Sequence, residues 1–551
     1  MGALGRVMKN HTTIGFNNHG FDEYLVSEAI RGADCERLKH IANEIIKSNL
    51  PNYRVAKDLG INVPGAWDGI DLIDLAPGIA SLKMYGARMG EAKLQDLPIE
   101  HGASITKGQQ VDLIAYCRND INVTRALYNE LLPQIELRQH MGEEYGIDLR
   151  SQGGAAVAKS VIRSQLESAG VSADKPEVNT DATFKYTVPD FIHFDAPVLN
   201  DLLAKVRRAR FTLNGAGHVK MPKELDEAIT FDGASYKFGI GGLHSQEAKQ
   251  SVIAGDDCIL AERDVASMYP SIILNQNLHP KHLGHKFTGI YRRMVTDRLR
   301  AKHSGDKPTA DGLKLTINSS FGLFGNRYSF TYSPDLLIAT TVTGQLALLM
   351  LIEATVAAGA RVVSANTDGV VSLCPKGCYD ALEVVCMEWE LQTGLMLEET
   401  RYSALHSKSV NSYVAITTDG KAKRKGFFAA AGLAKNPEFS VITDAVVQLA
   451  LDGTPVEQTI RACDDPKMFA MVRRVNGGST FNGEALGRVA RYYMTTDINP
   501  DNCLRYATNG NKVPRSDGCK PMMTLPQSMP DDVDFDRYIH VAKAETKWML
   551  V

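Results

Sequence analysis

Charge of one sign is what this chain most clearly lacks. Its 61 Lys and Arg face 64 Asp and Glu, for a net charge of −3 and a sequence pI near 6.5. A globally basic, nucleic-acid-coating protein is thereby excluded, so any polyanion must be met by local patches. Cysteine is sparse as well: nine residues, an odd number, spread widely. That pattern fits reduced core thiols of an intracellular protein, not a disulfide framework. Cys374 and Cys378 have no nearby Cys or His pair to complete a zinc site. The run His279-Pro-Lys-His-Leu-Gly-His285 lacks helical spacing and acidic neighbours, so zinc is not expected there either. Long apolar runs are missing. The best candidate, Leu336 to Ala357, is interrupted by Thr340, Thr341, Thr343, Gly344, Gln345 and Glu353, and predicts a buried helix. No charged-then-apolar leader opens the chain, Met1-Gly2 lacks the downstream Ser/Thr of a myristoylation signal, and no repeat or low-complexity tract occurs. A soluble, cytoplasmic protein without a membrane partner is the expectation.

What is present is enough for several cores: 551 residues at 44% hydrophobic content. From about Thr12 to Leu132, short apolar runs alternate with helical patterns, which predicts a small α/β unit. Thr13–Phe16 and Gly69–Leu75 are its clearest strands. Apolar residues at 111, 114, 115, 123 and 127 predict a helix over Val111–Leu132. A second helix is expected over Gly154–Ser168, followed by a polar, Pro-containing boundary near 175–189. Gly239-Ile-Gly-Gly-Leu-His-Ser245 reads as a tight glycine cluster flanking a strand. After Pro437 the pattern is mainly helical to about Val489, then loop-rich.

The chemistry-bearing residues begin at Asp264-Val-Ala-Ser-Met-Tyr-Pro-Ser-Ile-Ile273, where a strand-like run ends on a carboxylate. A second carboxylate, Asp368, lies in Asn366-Thr-Asp-Gly369, a hairpin turn between two strand-like runs, Arg361–Ser364 and Val370–Leu373. Two carboxylates on adjacent strand ends could hold two divalent ions roughly 3.5–4 Å apart, for the attacking and leaving oxygens of a phosphoryl transfer. A lone Asp-Gly is more often an ordinary turn; the basic residues shift that balance. Ile290–Lys302 and Thr309–Phe324 read as a helical hairpin. Arg298 and Lys302 are one turn apart, as are Lys314 and Asn318, with Phe321 and Gly322 continuing that face. Folded back, the hairpin would offer three cations to a triphosphate and Gly322 to a base pair. Tyr269 could lie under a sugar and clash with a 2′-hydroxyl, or be a core tyrosine. Lys421-Ala-Lys-Arg-Lys-Gly426 suits backbone phosphates, or is a solvated hairpin.

These motifs resemble those of family B DNA polymerases of the tailed-bacteriophage kind. Asp264-Val-Ala-Ser-Met-Tyr-Pro-Ser-Ile-Ile resembles motif A, Lys314-x3-Asn318-Ser319-x-Phe321-Gly322 motif B, and Asn366-Thr-Asp-Gly motif C. Gly239-Ile-Gly-Gly242 resembles the YxGG segment, and Lys423-Arg-Lys-Gly-Phe427 stands where the KKRY motif does. The resemblance implies a multidomain α/β and α+β protein, with a truncated RNase H-like exonuclease domain and a right-hand polymerase of palm, fingers and thumb. The implied boundaries are a truncated exonuclease-like domain over 1–145, a connecting segment over 146–235, palm over 236–290 and 327–428, fingers over 291–326, and thumb with C-terminal segment over 429–551. The implied metal positions are Asp264, Asp368 and Val265, for two Mg²⁺ or, in their place, Mn²⁺. Arg298, Lys302 and Lys314 are implied to hold the triphosphate, and Tyr269, Asn318, Phe321 and Gly322 to face the nucleotide and base pair. DNA contacts are implied at Gly241, Gly242, Lys423, Arg424 and Lys425. The implied partners are primer-template DNA and dNTPs, with a helicase or processivity factor, and the chain is expected to be a monomer acting in the host cytoplasm if phage-encoded.

Several departures qualify the resemblance. Motif C carries Asn366 for its first Asp and Gly369 for Ser, and motif B carries Phe321 for Tyr. Asn18-His-Gly-Phe-Asp22 and Tyr116-x3-Asp120 resemble exonuclease motifs II and III, but the DxE pair that should precede them is absent. Impaired proofreading is therefore expected, unless an upstream segment or partner chain supplies those ligands. There is room only for ordinary palm and fingers elements between the motifs, which predicts a nucleic-acid primer and little strand displacement. DNA synthesis is the leading expectation. A catalytically silent, polymerase-like DNA-binding replication factor is the alternative, and a dedicated exonuclease the weakest.

Overall fold

The computed structural model describes residues 2–549 apart from 49, 66, 98, 100–102 and 104. Met1, named above for the missing lipidation signal, lies outside them. By packing, the chain divides into two units. One comprises residues 1–153, 431–440 and 464–534, the other residues 154–430, 441–463 and 535–551.

In the first unit, strands Thr13–Gly15 and Gly69–Asp71 pair in parallel. The second is shorter than the apolar run through Leu75 predicts. Past Asp71 the chain turns, and Ala76 N–H donates to the Leu72 carbonyl at 2.9 Å. The expected helix over 111–132 is part of a longer one, Lys107–Tyr145, opened by a Thr106/Gln109 capping box. Ile70, Leu72, Leu75 and Tyr85 pack with Leu127, Leu131 and Ile135 of that helix as one core.

The largest departure from sequence expectation is over 471–494. This segment is a long antiparallel hairpin, Met471–Phe481 paired with Glu484–Met494, where helix was expected. The reason is local. Asn482 and Gly483 both have positive φ, 49° and 85°, the conformation of an Asn-Gly type I′ turn whose twist suits two strands. Val472 and Val489 then close a core with Met84, Ala87 and Leu94 of the same unit.

The second unit is built on a ten-stranded sheet. Its path runs Ala422–Arg424, Ser412–Thr417, Leu397–Ser409, Cys258–Val265, Gly369–Pro375, Arg361–Asn366, Leu243–Ser245, Ala234–Phe238, Ile229–Phe231. Gln250–Ile253 joins the long Leu397–Ser409 strand beside Cys258–Val265. Every pairing in it is antiparallel. Leu260, Val371, Tyr402 and Leu405 form one core. Ala404, Val414 and Ile416 meet Phe428, Val446 and Val447 in another. Burial on both faces makes these strands rigid supports. The Pro334–Ala357 helix is long and apolar enough by composition to cross a bilayer, but 89% of its most apolar window is buried within the protein. Helices His285–Ser304 and Lys307–Leu323 form the expected hairpin, and Gly154–Ser168 is a helix with the expected bounds.

Candidate active site

Asp264 is the penultimate residue of the Cys258–Val265 strand, which is flanked on both sides in the large sheet. It stands opposite Gly369 on one neighbouring strand and Glu398 on the other. Asn366 and Gly369 close a two-residue turn, Thr367-Asp368. Backbone bonds fasten that turn to both sides. Val265 N–H donates to the Asp368 carbonyl at 2.7 Å, and Thr367 N–H donates to the Leu243 carbonyl at 2.7 Å. Thr367 has φ +57°, a left-handed conformation costly for a β-branched residue. Ser267, three residues past Asp264, is also left-handed at φ +50°. Such strain persists only where the surroundings over-determine it, and it clusters at functional sites.

Glycine makes this geometry fit. A Cβ built at Gly369 would overlap Asp264 Oδ1, and one at Gly242 (φ +155°) would meet Thr367 Cγ2 at 2.9 Å. A serine at 369 would bring the same contact unless the Asp264 carboxylate turned aside. Replacing Gly369 by Ala should turn the Asp264 carboxylate aside and lower the primer extension expected from the sequence by about tenfold to a hundredfold, as misplacements of about 1 Å do. Far-UV circular dichroism should be unchanged, and an activity equal to that of the unaltered chain across a Mg²⁺ titration would show that this orientation of Asp264 is not used. Asn366 has a local reason too. Its amide donates to Asn411 Oδ1 at 3.2 Å and the Val410 carbonyl at 3.4 Å, where an aspartate would set oxygen against oxygen.

Electrostatically the two carboxyls are short of positive charge. Burial pushes Asp264 up to about 6, with Glu262 adding, Lys423 opposing, and Asp368 and Glu398 adding further. Asp368 is also raised, first by burial and then by Glu262, against its own backbone N–H and the cations Lys423 and Lys425. Glu262 was not singled out from the sequence. It lies two residues before Asp264, so strand periodicity puts both on one face, and that is the signal that could have found it. Only 8% exposed, it accepts from the Lys423 ammonium and the Tyr402 hydroxyl. Among the described residues no three His, Cys, Asp or Glu side chains converge as a closed ion cage. The donors at hand, the Asp264 and Asp368 carboxylates, are oxygen. That set suits Mg²⁺, which is ordinarily held by one or two carboxylates together with substrate phosphates and water.

Above the carboxylates the Tyr269 ring stacks on Phe321 at 4.2 Å between centroids and 18° between planes. The Tyr269 hydroxyl donates to the Gly241 carbonyl, and burial raises its pKa. Gly241 and Gly242 thus seat Tyr269 and the Thr367-Asp368 turn. Arg298 Nη1 donates to Ser267 Oγ at 3.0 Å, linking the helical hairpin to the loop after Asp264. Lys302, Lys314, Asn318 and Gly322 are exposed on the packed pair. Among the described residues Arg298, Lys302 and Lys314 belong to no ion pair. The run Lys423–Lys425 divides. Lys423 turns inward, 3.9 Å from Asp264 Oδ2, and Arg424 bonds Asp444 Oδ1 at 2.5 Å and the Phe428 carbonyl at 2.6 Å. Lys425 stays exposed.

Asp22 and Asp120 line one cavity of about 510 Å³ in the first unit, together with Glu23, Asn18 and Arg125. Burial raises Asp22, Glu23 and Asp120. Tyr116 is pushed up to about 12 by burial and by its Asp120 neighbour. Asp71, also unmarked in the sequence, accepts from the N–H groups of Asn17 at 2.7 Å and His19 at 3.1 Å.

No protein-family profile matches the chain, and no curated protein matches it. Among solved structures, the chain is similar to the family B DNA polymerase from the hyperthermophilic archaeon Pyrobaculum calidifontis. The TM-score is 0.42 and the identity 13%, over 97% of this chain and 69% of that one. A likeness that loose assigns no residue a role.

Proposed function

We propose that this chain is a DNA-directed DNA polymerase of the family B kind, extending a nucleic-acid primer on a DNA template from dNTPs. The observation that carries the reading is the meeting of Asp264 and Asp368 at adjacent strand ends, fastened through the bond from Val265 N–H to the Asp368 carbonyl. Residues 104 apart in sequence do not converge as two crowded carboxyls, the Asp368 charge raising the Asp264 pKa, without a cation to relieve them. Asp264, Asp368 and the Val265 carbonyl would hold two Mg²⁺, which when bound supply charge neutralisation for the attacking 3′-oxygen and the departing pyrophosphate.

The remaining residues act by positioning, which is most of what phosphoryl transfer asks of a protein. Arg298, Lys302 and Lys314 hold the triphosphate. Asn318, Phe321 and Gly322 face the nascent pair. Tyr269, locked by its bond to Gly241 and its stack on Phe321, forms a rigid floor for the sugar and excludes a 2′-hydroxyl. Lys425 and the neighbouring hairpin contact the primer-template backbone. Phage replication, with a helicase or processivity factor alongside, is the setting this reading implies. The test is templated extension of a labelled primer with Mg²⁺ and dNTPs, stopped by EDTA. Extension in template order is expected. DNA binding without incorporation would instead identify a silent replication factor.

A further inference from the structure

One surface of the second unit lies outside the site just described. The stretch Lys205 to Lys223 carries six Lys and Arg and no Asp or Glu, in a chain of net charge −3. Among the described residues none of the six is in an ion pair. Part of this stretch is a small antiparallel sheet in which Phe211–Leu213 pairs with Val219–Lys220 and with Thr183–Phe184. Thr183, Thr212 and Lys220 are direct cross-strand partners, so they share the outward face, while Phe211, Leu213 and Val219 turn inward.

The tip of that hairpin is docked onto the loop after the Lys307–Leu323 helix. Arg327 Nη1 donates to the Gly215 carbonyl at 3.2 Å, and the Tyr332 hydroxyl donates to the Gly217 carbonyl at 2.6 Å. The same loop presents Tyr328, 71% exposed. Lys175 Nζ lies 5.3 Å and the Arg327 guanidinium 5.9 Å from its ring centre, so two cations flank a ring that remains mostly open. An exposed aromatic bracketed by cations, on a loop that holds the tip of a basic hairpin, is the kind of arrangement that binds single-stranded nucleic acid. Bases stack on the ring without regard to sequence, and cations track the phosphates. A solvated basic face would not need an exposed tyrosine, flanked by two cations, on the loop its hairpin docks against.

We infer that Tyr328, with Lys175, Arg327, Arg210 and Lys220, is a stacking platform and phosphate track for the unpaired template strand. The inference rests on the polymerase reading, because it is the position of Tyr328 just beyond the helix carrying Asn318, Phe321 and Gly322 that makes the strand a template. The template base still waiting to enter the nascent pair would rest on Tyr328.

The test is fluorescence anisotropy of the full chain on two labelled DNAs, a primer-template with a 5′ template overhang and the same duplex made blunt. Tyr328→Ala should weaken overhang binding at least about fivefold, the low end for one stacked base, and leave the blunt duplex unchanged. Tyr328→Phe should bind as wild type, since stacking needs the ring and not the hydroxyl. Arg210→Ser with Lys220→Ser should flatten the log–log salt dependence on the overhang by about 0.7 per lost phosphate contact. Unchanged overhang affinity in Tyr328→Ala, an equal loss on the blunt duplex, or a matching loss in Tyr328→Phe would each overturn the platform. Extension is scored separately with Asp264→Ala. If that variant still extends primers, the metal-site reading fails while the binding result stands on its own.

Discussion

Asp368→Ala should abolish primer extension, by at least about a thousandfold in the rate at saturating dNTP, or about 4 kcal/mol of lost transition-state stabilisation. The fold should survive it. What fastens Asp368 is main chain, since its carbonyl takes the Val265 N–H, and alanine keeps that bond. Thr367 retains its left-handed conformation because the Leu243 carbonyl and the close approach of Gly242 hold it there. The loss is therefore one of charge at a fixed place, and DNA affinity measured in EDTA should be near wild type. Asp264→Ala should do similar damage, and the double variant little more, as expected for residues acting as one unit. Retention of a tenth or more of the wild-type rate in Asp368→Ala would remove Asp368 from the metal site.

The second large effect is on stability. Lys423→Met should cost about 2 kcal/mol at pH 7.5, below the 3–5 kcal/mol of a fully buried pair because water reaches the Lys423 end. Its ammonium is the cation on Glu262, which among the described residues is otherwise held by the Tyr402 hydroxyl, and it lies 3.9 Å from Asp264. Glu262→Gln added to Lys423→Met should recover most of the loss, because no ionised side chain is then stranded at that position. The pH dependence has a definite sign. A carboxyl whose pKa is higher in the fold than in the unfolded chain costs stability when ionised, and the cost fades as pH falls through the folded value. Asp264 sits at about 6 with Lys423 present, and higher without it. The Lys423→Met deficit in urea unfolding should therefore shrink between pH 7.5 and 5. A deficit that grows toward pH 5 would mean that Lys423 does not act through these carboxyls.

Much of the site was legible because it is built from local signals. A strand ending near Asp264, a turn carrying Asp368, one helix with Arg298 and Lys302 at i, i+4 and another with Lys314 and Asn318 at the same spacing each announce themselves within about ten residues. The Met471–Met494 hairpin was as local as these, since Asn482-Gly483 is a strong turn signal, yet helical periodicity outweighed it. Lys423 was legible as a basic residue but not in its direction. Which way a lysine turns depends on what lies across the sheet, and Glu262 is 161 positions away along the chain.

The sequence by itself determined the residue types of the chemistry: two carboxylates, three cations, an aromatic after the first carboxylate, and the order of the elements that carry them. Only the tertiary structure decided that Gly369 makes room for the Asp264 carboxylate, that Gly241 and Gly242 seat Tyr269 and the Asp368 turn, that Glu262 and Lys423 join the cluster, and that Tyr328 stands open beside a basic hairpin. The physical reason is range. Strand and helix periodicities act over a few residues. Steric room, desolvation and charge pairing depend on atoms brought together from hundreds of residues apart, and in this protein those long-range terms set the charge of the centre.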